Sequence, residues 1–203
     1  TESGPFTTVL KPEDHIQDGT EKSVARLASS GKPALNYEVR IVDDNDVDVP
    51  IGEVGELIVR SEAMMIGYWQ MPEETEKKLK NGWLHTGDLA KFDEDGYVYI
   101  VERKGDMIIS GGVNIYPREI EEVLYRHPAV SEASVIGLPD EHWGEIVKAV
   151  IVLKTGAQAT EDEIKDFCGK NLAGFKKPKS VDFWKELPKS PQGKILKKDI
   201  RKH

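Results

Sequence analysis

The strongest constraint on this chain is the change of apolar period around a double glycine near its middle. Residues 107–110 form a short β-like run that ends at Gly111 and Gly112. Pro117 then stands where a first helical turn accepts proline, and Ile120, Val123, Leu124 and His127 keep helical spacing until Pro128 stops it. The alternation continues to the end. Strands are expected over residues 133–138 and 147–153. A helix is expected from Glu161, where Thr160 and Glu163 make a capping box and Ile164, Phe167, Cys168 and Leu172 form one apolar stripe. A strand near residues 181–184 and a Lys-rich helix from about Ile195 complete an alternating pattern of helices and strands.

The N-terminal half is different in texture. Its first thirty or so residues are polar and irregular, after which residues 37–43 alternate as a half-buried strand whose partner is expected at 55–61. The acidic segment between them imitates the start of a calcium loop. Val49 and Gly55 stand where that loop needs glycine and glutamate, so an acidic hairpin turn is expected. Residues 73–80 place acids first and lysines last, as a helix dipole favours, and Asn81-Gly82 reads as the stop. Residues 89–101 read as a hairpin turning at 93–96. A domain boundary is expected near Lys104-Gly105.

With 203 residues, 38% hydrophobic and 32% charged, the chain has enough apolar content for one or two compact units and is neither collagenous nor disordered. No apolar run approaches the roughly 18 residues of a membrane span. The opening TESGPF has neither an initiator Met nor a signal peptide, and reads as the start of a fragment. The lone Cys168 supplies neither a disulfide nor a zinc cluster and is expected in the core, which suits a reducing, cytoplasmic setting. From Lys165 onward 12 Lys and Arg face 4 Asp and Glu, although the whole chain carries −8. Such a basic tail either meets phosphates or is a solvated lysine face. Nucleic acid is disfavoured by the acidic total and the lack of an aromatic–basic platform.

No P-loop, dinucleotide fingerprint, nucleophile elbow or zinc-protease motif is present, and the five histidines, at 15, 85, 127, 142 and 203, are expected in surface or helix-end roles. Asp88 is expected in a Gly-containing turn before a strand, either presenting its carboxylate to sugar hydroxyls or shaping the turn. Arg103 ends a hairpin as an anion fork or a salt-bridge partner. Lys194 follows Pro191-Gln192-Gly193 on a loop, as a bridge between two anions or a solvated lysine.

Taken together, Thr1-Glu2, Thr86-Gly87-Asp88, Arg103-Lys104, the Gly111-Gly112 loop before Glu119-Ile120-Glu121, and Pro188-Lys189 leading to Gly193-Lys194 resemble the motifs of the AMP-forming acyl-CoA synthetases. The order is the family's and the resemblance runs nearly end to end. It implies an α+β fold: residues 1–104 as the end of the large AMP-binding domain with a β-hairpin, barrel-like subdomain, and residues 105–203 as a mobile C-terminal α/β domain, a short β-hairpin plus a three-stranded sheet with helices packed on it. It also implies an acid–thiol ligase that activates a carboxylic acid, fatty or aryl, with ATP and Mg2+ and transfers the acyl group to coenzyme A. Its partners are small molecules.

By that resemblance Lys194 is the catalytic cation, Thr1, Asp88 and Arg103 bind the nucleotide, and Glu2 contacts the metal. Gly111, Gly112, Trp143, Phe175, Lys177 and Lys179 meet coenzyme A, a packing role for Trp143 remaining open. Gly105 stands where the family's hinge usually carries Asp or Lys; it departs from the pattern but permits the pivot, with Asp106 as a partial substitute. The family's phosphate loop and most of its acyl pocket are not in these residues, so the 203 residues alone are expected to be inactive. Rival readings are an amino-acid adenylation domain feeding a carrier protein, a luciferase-like oxidase on the same scaffold, and a non-catalytic nucleotide- or CoA-binding module.

Overall fold

The computed structural model describes residues 1–203, which divide into two compact units, Thr1–Lys104 and Gly105–His203. In the first unit β1 (Thr8–Val9), α1 (Glu21–Ala25) and β2 (Lys32–Pro33) lead to β3 (Glu38–Val42) and β4 (Gly55–Arg60). Then come α2 (Pro72–Lys78), β5 (Leu79–Lys80), β6 (Trp83–Phe92) and β7 (Val98–Arg103). β3 pairs antiparallel with β4 and β4 with β6, while β5 and β7 share the other side of the long β6. The half-barrel closes over Ile41, Leu57, Val59, Ala90 and Val98, the apolar positions that alternate along these strands.

Asn81 and Gly82 both have positive φ, 51° and 79°, and join Lys80 to Trp83 across a two-residue turn. The pair therefore makes a β5–β6 hairpin of the kind that needs two left-handed residues, instead of merely stopping a helix. The acidic stretch after β3 is a turn, as expected. Asp43 accepts from the backbone N–H groups of Asn45 and Val47, and Asp48 binds Arg40 at 2.6 Å.

The second unit contains β8 (Ile108–Ser110), β9 (Val113–Ile115), α3 (Pro117–Tyr125), β10 (Val130–Asp140), β11 (Gly144–Leu153), α4 (Glu161–Asn171), β12 (Ser180–Phe183) and α5 (Lys197–Ile200). β10 and β11 form a long antiparallel hairpin, and β12 lies parallel to β11. The small β8–β9 hairpin adds to the start of β11.

Alternation along β10 and β11 serves two cores. Val135, Val147, Ala149 and Ile151 pack with Ile120 and Leu124 of α3 and Ile164 and Cys168 of α4. Ile136 and Val150 face the other way, onto Leu187 and Ile200. Because the chain after β12 is spent covering that second face, the expected terminal helix shrinks to the four residues of α5.

The capping box at Thr160 and Glu163 is formed, a device worth about 1 kcal/mol. Cys168 is fully buried and its thiol is pushed up to about 11 by desolvation, against a weaker pull from Lys177, so it is a core residue and no nucleophile. No helix of the chain is long and apolar enough to cross a membrane.

Candidate functional site

In the first unit Asp88 does not sit in a turn before a strand: it lies within β6, at an irregularity. His85 pairs with Ile58 and Leu89 with Glu56, so Thr86, Gly87 and Asp88 face the single residue Leu57 and bulge out of the sheet. The bulge has its own hydrogen bonds. The Thr86 hydroxyl donates to the Leu57 carbonyl at 2.7 Å and accepts from the Asp88 N–H at 3.0 Å. The Gly87 N–H donates to Glu56 Oε1 at 3.1 Å, and Gly87 itself has φ 75°, a conformation that favours glycine.

Asp88 is the direct cross-strand partner of Arg103 at the end of β7, and the guanidinium Nε lies 2.8 Å from its Oδ1. Of the alternatives for these two residues the salt bridge is formed, and both also line a cleft. That cleft, about 360 Å³, is also lined by Thr1, Glu2, Ser3, Tyr68, Lys78, Leu84, His85 and Thr86. Four residues picked from sequence, Thr1, Glu2, Asp88 and Arg103, come together there.

Glu2 accepts a hydrogen bond from the Tyr68 hydroxyl at 3.0 Å. Its own backbone N–H and that hydroxyl hold its carboxyl below the usual glutamate value, whereas burial and the facing carboxylate raise the Tyr68 phenol. Magnesium at nucleotide sites keeps several waters and takes one or two carboxylates plus substrate phosphates. Glu2 is a carboxylate of that kind among the cleft-lining residues. No group of three or more His, Cys, Asp or Glu side chains in the chain is arranged to hold a metal ion.

Sequence reasoning missed Tyr68, Lys78 and His85 as lining residues. His85 is the histidine that breaks the expected pattern. It is 5% exposed, in a strand, with its ring nitrogens 3.5 Å from Glu56 and 3.6 Å from Asp46.

In the second unit the candidate residues fall on three segments. Gly111 and Gly112, φ 57° and 78°, are the two-residue turn of the β8–β9 hairpin. A Cβ on Gly111 would lie 2.8 Å from the Trp143 ring, while one on Gly112 would meet nothing. Close backbone approach at Gly111 is therefore to Trp143 itself. Trp143, 47% exposed, is held there by the Gly111 N–H donating to its carbonyl, and it is not the buried packing residue of the alternative reading.

Phe175 is half exposed, Lys177 pairs with Asp166 at 3.3 Å, and Lys179 is exposed next to β12. The neighbouring Lys176 is bound by Glu119. Lys194 stands on a closed loop: Ser190 N–H donates to the Lys194 carbonyl and Gly193 N–H to the Ser190 carbonyl, both at 2.8 Å. Its side chain is exposed and makes no ion pair. Gly105 lies in a 3-10 turn (Lys104–Asp106) with open space where a side chain would be, and Asp106 is taken by Arg201 at 2.9 Å.

Comparison with known proteins gives this arrangement a family. Residues 1–69 match the AMP-binding enzyme domain and residues 119–194 the AMP-binding enzyme C-terminal domain. The chain is 48% identical over 173 residues to a long-chain-fatty-acid–CoA ligase of Escherichia coli O6:H1, covering 85% of this chain and 31% of that enzyme. It is 43% identical over 202 residues to a feruloyl-CoA synthase of an Amycolatopsis species, covering 100% of this chain and 40% of that one.

Among solved structures, o-succinylbenzoate CoA synthetase of Bacillus subtilis in complex with ATP and magnesium ion superimposes with a TM-score of 0.83 at 35% identity, over 97% of this chain and 38% of that one. The same enzyme with its acyl-adenylate intermediate gives 0.86 at 36%, over 96% of this chain and 38% of that one. The chain thus spans about a third of the length of these relatives. It belongs to the AMP-binding enzyme family, and within that family it is similar to the C-terminal portion of the AMP-forming acyl-CoA synthetases.

Proposed function

We propose that the protein carrying this chain is an AMP-forming acid–thiol ligase. It joins a carboxylic acid, fatty or aryl, to MgATP as an acyl-adenylate, then passes the acyl group to coenzyme A. The observation that carries the reading is the Asp88–Arg103 pair, set by a bulge at the mouth of the cleft that also holds Glu2.

In the first step a carboxylate oxygen attacks the α-phosphorus and the bond to the bridging oxygen breaks, its electron pair leaving with pyrophosphate. No proton moves. The protein's task is to hold anions together while charge shifts onto the leaving group, which makes positioned cations the dominant contribution. Lys194 bridges the acid and the α-phosphate, Asp88 accepts from the ribose hydroxyls with Arg103 beside it, Thr1 serves the phosphates and Glu2 the magnesium.

In the second step the thiol sulfur attacks the acyl carbon, AMP departs and the thiol proton is released. Gly111, Gly112 and Trp143 flank the pantetheine arm, and Phe175, Lys177 and Lys179 meet the nucleotide end. Gly105 is the pivot between the two states. The acid's own pocket and the phosphate loop belong to the part of the relatives that these residues do not match, and the 203 residues alone are expected to make no adenylate.

Acid-dependent ATP–pyrophosphate exchange by the full-length protein tests this, over short, long and aromatic acids together with amino acids. Exchange stimulated by a fatty or aryl acid is the expected result. Stimulation by amino acids alone transfers the protein to the adenylation domains of peptide synthesis, and stimulation by none overturns the ligase reading.

A further inference from the structure

We infer that Glu56 is a positioning residue for the nucleotide cleft, one buried carboxylate that holds Asp88 and Arg103 in place from behind. The inference rests on the reading that these two residues receive the nucleotide. Glu56 lies in β4 and is 9% exposed. Its Oε1 accepts the Gly87 N–H at 3.1 Å, and Gly87 immediately precedes Asp88. Its Oε2 accepts Lys104 Nζ at 3.0 Å, and Lys104 immediately follows Arg103. His85 Nδ1 stands 3.5 Å from the same oxygen.

The geometry assigns each oxygen a separate duty. The bulge at Thr86–Asp88 leaves the partly buried Gly87 N–H outside the β4–β6 ladder, and such an N–H without an acceptor costs stability. Oε1 satisfies it and thereby sets the backbone from which Asp88 projects. Oε2 anchors the lysine at the end of β7, which fixes the strand end that carries Arg103. Lys104 also reaches Asp44 at 2.8 Å, but Asp44 is 86% exposed and well solvated. Burial pushes the Glu56 carboxyl up, but Lys104, His85 and the Gly87 amide outweigh it and hold it below the ordinary glutamate value. Neither oxygen is itself among the cleft-lining groups, so Glu56 acts through its neighbours.

The test combines a structural and a kinetic readout. In the 203-residue chain, Glu56→Ala is expected to speed amide exchange at Gly87 about tenfold or more, while Glu56→Gln, which keeps an oxygen for that N–H, changes it less. In the full-length protein, Glu56→Ala raises KM for ATP about tenfold with kcat within about threefold, the pattern of weakened ground-state and transition-state binding alike. Asp44→Asn moves neither quantity more than about twofold.

Unchanged Gly87 exchange in Glu56→Ala overturns the proposal, and so does faster exchange with an unaltered KM for ATP. If Glu56→Ala does not fold, Glu56→Leu, which also removes both oxygens, carries the same comparison. If the wild type makes no adenylate from any acid, the ligase reading falls while AMP affinity by calorimetry still decides the positioning role. Affinity weakened tenfold or more in the variant supports it, and equal or absent binding overturns it.

Discussion

Lys194→Ala lowers acyl-adenylate formation by the full-length protein about 10²- to 10³-fold, the usual loss when one preorganised charge-stabilising donor is removed. The loop explains why so much depends on one side chain. Its backbone is closed by the Ser190–Lys194 and Gly193–Ser190 hydrogen bonds, Gly193 turns at φ 81°, and Lys189 pairs with Ile195 across it. Ile195 packs on the Ile136, Val150 and Leu187 cluster, which ties the loop to the sheet. Lys194 is therefore an exposed side chain on a fixed base, with no ion-pair partner in its own chain to give up, as the proposed bridge between two anions requires.

Transfer to coenzyme A from supplied acyl-adenylate is expected to stay within about threefold, since the departing AMP no longer needs that cation in the same place. Lys194→Arg is not expected to rescue, because a planar fork does not replace a compact point charge on a fixed loop. Equal losses in both half-reactions would mean that the lysine holds the loop and not the reacting groups.

Leu124→Ala destabilises the second unit by about 2–5 kcal/mol, the range for emptying a fully enclosed leucine site. Leu124 is wholly buried on the inner face of α3, packed with Val135, Ile164 and Cys168 in the larger of the two cores flanking the sheet. The strand hairpin beneath it is paired from Val130–Leu153 to Asp140–Gly144, which limits how far the cavity can collapse. With total stabilities of about 5–15 kcal/mol for a domain, one such loss is a large fraction of what holds the unit together. Urea unfolding followed by the amide exchange of β10 and β11 measures it. A change below about 0.5 kcal/mol, the size expected of a surface substitution, would show that α3 is not a core element.

Most of the second unit was legible because its signals are local. Pro117, the Ile120–Leu124 stripe and the Thr160–Glu163 capping box each specify a helix from residues a few positions apart, and the structure has both helices there. The strands of the sheet were readable in sequence, but that a second segment covers its other face was not. That answer depends on Leu187 and Ile200 reaching Ile136 and Val150 across the fold, which shortened the expected last helix.

The site was half legible for the same reason. Asp88 and Arg103 were picked out by their neighbours in sequence, yet their direct pairing needs the β6–β7 register. The bulge that presents Asp88 depends on Glu56, 31 positions before Gly87, and no local pattern announces it. His85 was expected at a surface or helix end, but Asp46 and Glu56 close over it only once three strands are assembled. Tyr68 lies in an irregular stretch without periodicity, and its hydroxyl meets Glu2 from 66 residues away.

The most direct test of the central claim follows one oxygen atom. The full-length protein is supplied with a carboxylic acid labelled with oxygen-18 in its carboxylate, together with ATP, magnesium and coenzyme A, and the products are weighed by mass spectrometry. Attack on the α-phosphorus followed by thiolysis leaves one labelled oxygen in AMP, none in pyrophosphate, and one acyl-CoA for each AMP. Label appearing in inorganic phosphate, with ADP as the nucleotide product, would mean an acyl-phosphate route and would contradict the account.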